Sequence, residues 1–242
     1  TEAFCGKSAL AVGIGLSAKE RGWTVGYMKP VSMGVSEPRV AEVDEDADLA
    51  ARVFQLSEGR DLLAPVALSR LDIERIVEGR AETAYRHLLV DAYQRLAPGK
   101  NLMVIEGGGS LREGYTVDLP AQVVMRLLSA KALVVVPHSM HLVTDDALAA
   151  RAMLGEDLLG VVINRVPRYR MRFVEEAIRT HLENRGVKVY GILPEERFLE
   201  AVSVREIAGR LDGEILCAEE AADDLVENLM VGAMSVDSAL SY

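Results

Sequence analysis

The sequence lacks most of the features that mark secreted, membrane-spanning or nucleic-acid-binding proteins. Its 242 residues include only two cysteines, Cys5 and Cys217, too few for a disulfide framework, so we expect a reduced, cytoplasmic protein. No apolar run reaches the roughly 18–20 residues that cross a bilayer, and no signal peptide is recognisable. Basic residues are also scarce: 27 Lys and Arg against 37 Asp and Glu give a net charge of −10. This acidity argues against duplex nucleic acid or an anionic membrane surface as a partner.

The sequence does contain a regular alternation of apolar runs and segments with helical periodicity. The apolar runs are nearly uniform, as expected for strands covered on both faces, so the pattern predicts an α/β fold with a mainly parallel sheet and helices on each side. The predicted strands are 24–31, 102–105, 132–136, 158–164 and 187–192. The predicted helices are 6–21, 46–54, 82–96, 119–130, 144–154 and 168–184. Residues 58–81 receive no clear assignment.

The alternation changes after Pro194, and we place a domain boundary between residues 198 and 199. The remaining residues predict a helix at 203–211, a strand at 214–218 with Cys217 in its core, and a helix at 221–229. A segment of this length is too short for a core of its own, so we expect residues 199–242 to begin a second, truncated α/β domain. The domain at 1–198 opens directly into a loop that normally follows a buried strand, so we expect that first strand to be missing.

The first eight residues, TEAFCGKS, match the phosphate-binding loop G-x-x-x-x-G-K-[ST] except that Thr1 replaces the first glycine. Gly6 allows backbone N–H groups to turn towards phosphate oxygens, and the following helix adds the positive end of its dipole. Lys7 would neutralise the β- and γ-phosphates, and the Ser8 hydroxyl would ligate Mg²⁺. A chance Gly-Lys-Ser before a helix is the alternative. The loop–helix–strand context favours binding of a nucleoside triphosphate.

Lys29 and the acidic run DEDAD at 44–48 are the next candidates. Lys29 ends a predicted strand, and because strand ends line the ligand crevice of an open parallel sheet, it could hold an anionic substrate or the γ-phosphate. An exposed lysine is the ordinary alternative. A carboxylate of the acidic run could bind Mg²⁺. The alternative is a solvated helix N-terminus, where acidic residues are favoured in any case.

Two further candidates follow predicted strands. Glu106 comes directly after the strand at 102–105, where a second Mg²⁺ ligand would belong, and Gly107, Gly108 and Gly109 would allow a close approach of backbone to substrate. A flexible turn is the alternative. Asn164 ends the strand at 158–164, and its amide could read an adenine edge by paired hydrogen bonds. A turn-forming asparagine is equally compatible with that position.

Taken in order, the segments T-E-x-x-x-G-K-S, K-P-V, D-x-D-A, E-G-G-G, I-N-R and G-I-L-P resemble dethiobiotin synthetase over roughly residues 1–197. The resemblance implies a P-loop three-layer sandwich, a homodimer, and the cofactors ATP and Mg²⁺. It implies catalytic roles for Lys29 and Lys7, with Lys29 binding a carbamate and the γ-phosphate. The implied metal ligands are Ser8, Asp46 and Glu106. The implied nucleotide-binding residues are Thr1, Glu2, Cys5, Gly6, Lys7, Ser8, Gly107, Gly108 and Asn164.

Several positions depart from that family. Ala3 stands where the family usually has a hydroxyl, and Met33 stands where a serine helps to hold the diamine substrate. The tail resembles the beginning of a DRTGG domain, which follows such a module in long phosphotransacetylases and stand-alone relatives.

Three functions therefore stay open. A Mg-ATP-binding module with a regulatory role is favoured by Met33 and the tail, with downstream DRTGG and phosphotransacetylase domains and a small anionic metabolite as possible partners. An ATP-dependent ligase that activates a small carboxylate or carbamate is favoured by the retained Lys29, Asp46 and Glu106. A scaffold without a ligand is the third.

Overall fold

The structure is a computed structural model that describes residues 5–33, 44–80, 84–139, 141–196 and 201–226. The predictions on Thr1, Glu2 and Ala3 lie outside the described residues. The chain divides into two compact units, Thr1–Pro194 and Glu195–Tyr242. That the second unit begins a DRTGG domain stays a prediction.

Every strand pair among the described residues of the first unit is parallel. Strand β1 (Val25–Met28) pairs with β4 (Leu102–Ile105), and β2 (Val31–Met33) pairs with β3 (Val66–Leu68). Strands β5 (Ala132–Pro137), β6 (Leu158–Val166) and β7 (Val189–Pro194) form a three-stranded sheet in that order. The α/β class with parallel sheets, predicted from the uniformly apolar runs, is confirmed.

Helices connect these strands, as parallel pairing requires. The predicted helix 168–184 is helical along its length, but it contains a π-helical turn, Val174–Ile178, between two short α-helices. The α-helices of the first unit are α1 (Lys7–Glu20), α2 (Glu45–Phe54), α3 (Arg60–Leu63), α4 (Arg70–Val77), α5 (Tyr85–Leu96), α6 (Ala121–Leu128), α7 (Val143–Leu154), α8 (Met171–Phe173) and α9 (Arg179–Glu183). Every helix in the described ranges falls short of the length and apolarity that crossing a membrane would require.

The predicted strand at 24–31 is divided in two at Lys29 and Pro30. The Lys29 backbone N–H donates to the Leu63 carbonyl oxygen at 2.7 Å, away from β4, and proline has no N–H to continue a ladder. The chain therefore changes partner from β4 to β3 at this point. The division sets Lys29 directly after the carboxyl end of β1.

Residues 58–81, which the sequence left unassigned, contain α3, β3 and α4. Helix α4 begins with a capping box in which the Ser69 side chain accepts from the Asp72 N–H and Asp72 accepts in return from the Ser69 N–H. Ser-x-x-Asp is a weaker form of the sequence signal for a helix start.

Two hydrophobic clusters support the first unit. One surrounds β1 and β4, with Tyr27, Leu89 and Leu96 almost fully buried, and the other surrounds β5, β6 and β7. Both clusters pack against the parallel strands. The close packing holds the carboxyl ends of those strands rigidly in place.

The described part of the second unit contains β8 (Val202–Ser203), α10 (Val204–Arg210) and β9 (Leu225–Val226), with β8 and β9 antiparallel. The predicted strand at 214–218 is wrong: this segment is irregular and Cys217 is exposed. The predicted helix at 221–229 is also wrong, because β9 lies within it. An apolar run forms a strand only where a partner edge exists, and β8 pairs with residues 225–226 instead.

Candidate functional site

Cys5 and Gly6, the described residues before α1, are fixed by contacts to two strands of the three-stranded sheet. Gly6 has φ 92°, a left-handed conformation that glycine adopts without strain. Cys5 is buried, and its thiol lies 3.7 Å from the Val135 carbonyl oxygen in β5. The Asn164 amide, in β6, donates to the Cys5 carbonyl oxygen at 2.9 Å. Cys5 is thereby held against β5 and β6, directly ahead of Gly6 and the α1 N-terminus.

Ser8 and Glu106 are in direct contact beneath this loop. The Ser8 hydroxyl donates to Glu106 Oε1 at 2.7 Å, and the Tyr27 hydroxyl donates to Glu106 Oε2 at the same distance. Glu106 is only 5% exposed. Burial raises the pKa of Glu106 above its ordinary range, although the hydrogen bonds from Ser8 and Tyr27 oppose the change. Burial destabilises the charged form of this carboxylate, and a nearby cation would offset that cost.

Lys29 lies between two carboxylates at the start of α2. Its Nζ is 2.8 Å from Asp44 Oδ2 and 2.6 Å from Asp46 Oδ2. Burial alone would lower the pKa of Lys29, but the two carboxylates together raise it above its ordinary value. Asp44 also caps α2 by accepting the Ala47 N–H at 2.9 Å. Asp44 therefore both caps the N-terminus of α2 and forms an ion pair with Lys29.

Ser32 and Met33 form the segment in which a methionine stands where the resembled family has a substrate-binding serine. Ser32 is buried and donates a short hydrogen bond to Asp44. Met33, the residue that departs from the resembled family, packs against the hydrophobic cluster around β1 and β4. The hydroxyl of this segment is thus engaged with the Lys29–Asp44 pair.

The glycine segment after Glu106 is held by a residue that the sequence did not single out. Glu113 accepts the Gly109 N–H at 2.8 Å, and a side chain at Gly108 would overlap with the Glu113 carboxylate. Lys7 Nζ donates to the Gly109 carbonyl oxygen at 3.2 Å. These contacts bring the loop lysine and the glycine segment together on the wall of a cavity of about 190 Å³. Residues of β4 and β5 form its apolar walls.

The predicted metal ligands Ser8, Asp46 and Glu106 supply one hydroxyl and two carboxylates, the oxygen ligands that Mg²⁺ prefers. In the described ranges no three His, Cys, Asp or Glu side chains are grouped as a metal site by themselves, and the predicted set includes only two such residues. After burial, the charge of Asp46 adds to the causes that raise the pKa of Glu106. Asp46 and Glu106 therefore interact electrostatically, and their oxygens with the Ser8 hydroxyl are a donor set whose chemistry fits Mg²⁺.

Asp44 is expected to matter more for stability than its neighbour Asp46. Its side chain is 5% exposed and that of Asp46 is 34% exposed. We expect Asp44→Asn to lower the free energy of unfolding by about 2 kcal/mol, because a buried ammonium and hydroxyl lose a charged acceptor. Asp46→Asn should cost less than about 1 kcal/mol. Urea denaturation of both variants measures the difference, and equal losses would contradict it.

The pH dependence of that difference follows from the charge of Asp44. Burial alone would raise the pKa of Asp44, but Lys29, Ser32 and the Ala47 N–H hold it below its ordinary value. A carboxylate with a lowered pKa contributes stability above its unfolded-state pKa and loses it as the pH falls through the folded-state value. The stability gap between wild type and Asp44→Asn should therefore shrink in acid.

Two residues of the site, Tyr27 and Glu113, escaped the sequence analysis, which included Asp44 only as one carboxylate of the acidic run that could bind Mg²⁺. The capping role of Asp44 had a detectable signal, because it is an acidic residue directly before a predicted helix. Tyr27 had a weaker one, a hydroxyl inside an apolar strand. Glu113 had none, since its contact depends on how the segment after Gly109 turns back.

The chain is similar to several known proteins. The family model described as AAA domain matches residues 1–203. An ATP-dependent dethiobiotin synthetase of Frankia casuarinae is 31% identical over 167 residues, which are 67% of this chain and 67% of that protein. A phosphate acetyltransferase of Synechocystis sp. is 23% identical over 248 residues, covering 100% of this chain but 35% of that protein. A solved structure, the cell division protein MinD of Aquifex aeolicus, covers 82% of this chain and 81% of its own at 14% identity, with a TM-score of 0.45.

Proposed function

Because this chain belongs to the AAA domain family and is an ATP-binding P-loop module related to dethiobiotin synthetases, we propose that it binds ATP with Mg²⁺ and acts as a regulatory module. One observation carries the proposal. The hydroxyl of Ser8, the residue directly after the loop lysine, lies 2.7 Å from Glu106 Oε1. In this arrangement Lys7 neutralises the phosphates and the backbone N–H groups at the α1 N-terminus bind their oxygens. Ser8, Glu106 and Asp46 hold Mg²⁺.

Further residues would complete the nucleotide site. Thr1, Glu2 and Cys5 would shape the loop, and Gly107 and Gly108 would approach the phosphates or a second, small anionic ligand. Asn164 donates one amide hydrogen to Cys5, which leaves the other for an adenine edge. Asn164 would then connect the base to the loop that binds the phosphates.

The regulatory role is supported by the extent of the similarity to phosphate acetyltransferase. That relative aligns along the whole chain, the second unit included, yet the chain spans about a third of its length. An ATP-binding module that occupies this share of a larger enzyme is suited to control a domain attached to it. We therefore propose downstream DRTGG and phosphotransacetylase domains, a cytoplasmic location and a homodimer for the full-length protein.

An ATP-dependent ligase is the second candidate, and the Lys29 cluster favours it. Lys29 and Asp46 are retained beside Glu106, and a module that only senses ATP has no need of a second lysine there. In this candidate Lys29 and Lys7 stabilise charge on the transferring phosphoryl group, and Mg²⁺, when bound, supplies further neutralisation of that charge.

Two measurements separate the candidates. Calorimetry with Mg-ATP tests binding, and the absence of heat at millimolar nucleotide would leave only a scaffold. Phosphate release is then followed with a panel of carboxylates, and of diamines with bicarbonate. Turnover that Lys29→Ala abolishes establishes the ligase, whereas tight binding without turnover on any substrate supports the regulatory module.

A further inference from the structure

Tyr27 is a polar residue in the most buried strand of the first unit. In the parallel register Tyr27 lies opposite Val104. Because side chains alternate between faces, Glu106, two residues after Val104, emerges on the same face as Val104 and Tyr27. The pairing of β1 with β4 thus places the tyrosine diagonally beside the site carboxylate.

The Tyr27 side chain is fixed in place. Tyr27 has no exposed surface, and its ring packs against Phe54 with 6.4 Å between the ring centroids. Phe54 is itself buried and fills the space over Gly15 of α1, where a β-carbon would overlap with its ring. The phenol ring is therefore held by Phe54 of α2, which packs in turn on α1, and the Tyr27 hydroxyl reaches Glu106.

Glu106 receives one donor on each carboxylate oxygen, Ser8 on Oε1 and Tyr27 on Oε2. Two donors at fixed positions hold the carboxylate in one orientation. This orientation sets the direction in which its remaining lone pairs point. The Tyr27 hydroxyl is the donor of this pair, because an ionised carboxylate can only accept.

We infer that Tyr27 is a positioning residue for Mg²⁺: its hydroxyl orients Glu106 so that the metal site beside Ser8 is preformed. The inference rests on the proposed function, since it concerns the metal of the same site. Tyr27 does not touch nucleotide or metal in this arrangement. Replacing Tyr27 should therefore weaken ATP binding only when Mg²⁺ is present.

The test compares ATP affinity with Mg²⁺ and with EDTA for the full chain, by calorimetry. Tyr27→Phe should weaken ATP binding in Mg²⁺ about tenfold, since partners of a metal ligand typically contribute 10–100-fold to metal affinity. Its affinity in EDTA should equal that of wild type. Tyr93→Phe makes the same change in a side chain that packs against the same cluster without contacting Glu106, and should alter neither value.

A double-mutant cycle assigns the effect to Glu106. If Tyr27 acts through that carboxylate, Tyr27→Phe combined with Glu106→Gln should bind Mg-ATP no more weakly than Glu106→Gln alone. Additive losses, or equal losses in Mg²⁺ and EDTA, would overturn the positioning role. So would an unchanged Tyr27→Phe, while leaving the proposed function intact. A wild type that binds no ATP would overturn both.

Discussion

Replacing Lys7 by alanine is expected to weaken Mg-ATP binding about 100-fold, a loss of roughly 3 kcal/mol, because a charge-assisted contact to the phosphates disappears. Lys7 Nζ already lies 3.2 Å from the Gly109 carbonyl oxygen, on the wall of the cavity. The ammonium is thus directed to the place where the glycine segment and the phosphate-binding loop meet. Calorimetry of wild type and variant measures the change.

Lys19→Ala is the matched control for that experiment. Lys19 lies in the last turn of the same helix, and its Nζ donates to the Phe54 carbonyl oxygen at 2.7 Å, away from the loop. It removes an equal charge from the same helix, so it should leave ATP affinity unchanged. If both variants lost affinity equally, general electrostatics would explain the effect. If Lys7→Ala bound as wild type does, the loop would not be the nucleotide site.

The sequence predicted best where one local pattern was enough. The apolar runs of β4 and β5 and the periodicity of α7 were found almost to the residue, because an uninterrupted apolar run and a helical period are features of the local sequence. The meeting of Ser8 with Glu106 was foreseeable from topology alone, since both follow positions at the carboxyl edge of a parallel sheet.

What the sequence could not predict depends on contacts between distant segments. Tyr27 reaches Glu106 because of the register between β1 and β4. The sequence of either strand alone does not determine that register. The interruption at Lys29 depends on the Leu63 carbonyl oxygen, which belongs to the segment that could not be assigned. The segment at 214–218 pairs with no strand among the described residues, and its own apolar residues do not reveal this.

Gly6→Ala is expected to lower the free energy of unfolding by about 3 kcal/mol and to abolish ATP binding. Two costs combine. The left-handed backbone at φ 92° costs a residue with a β-carbon about 1–2 kcal/mol. The new β-carbon would also overlap with the Asn164 amide nitrogen, which donates to Cys5. Relief of that overlap displaces the hydrogen bond that holds the loop, so stability and binding should fall together.

Two further variants separate these costs. Gly13→Ala makes the same substitution in the body of α1, where a β-carbon meets no atom within 4 Å, so it should raise stability by about 0.5–1 kcal/mol. Adding Asn164→Ala to Gly6→Ala removes the overlap but not the backbone strain. Urea denaturation should therefore show the double variant losing less stability than the sum of the two single variants. Strictly additive losses would mean that Asn164 does not hold the loop at Gly6, and a stabilising Gly6→Ala would contradict the left-handed conformation itself.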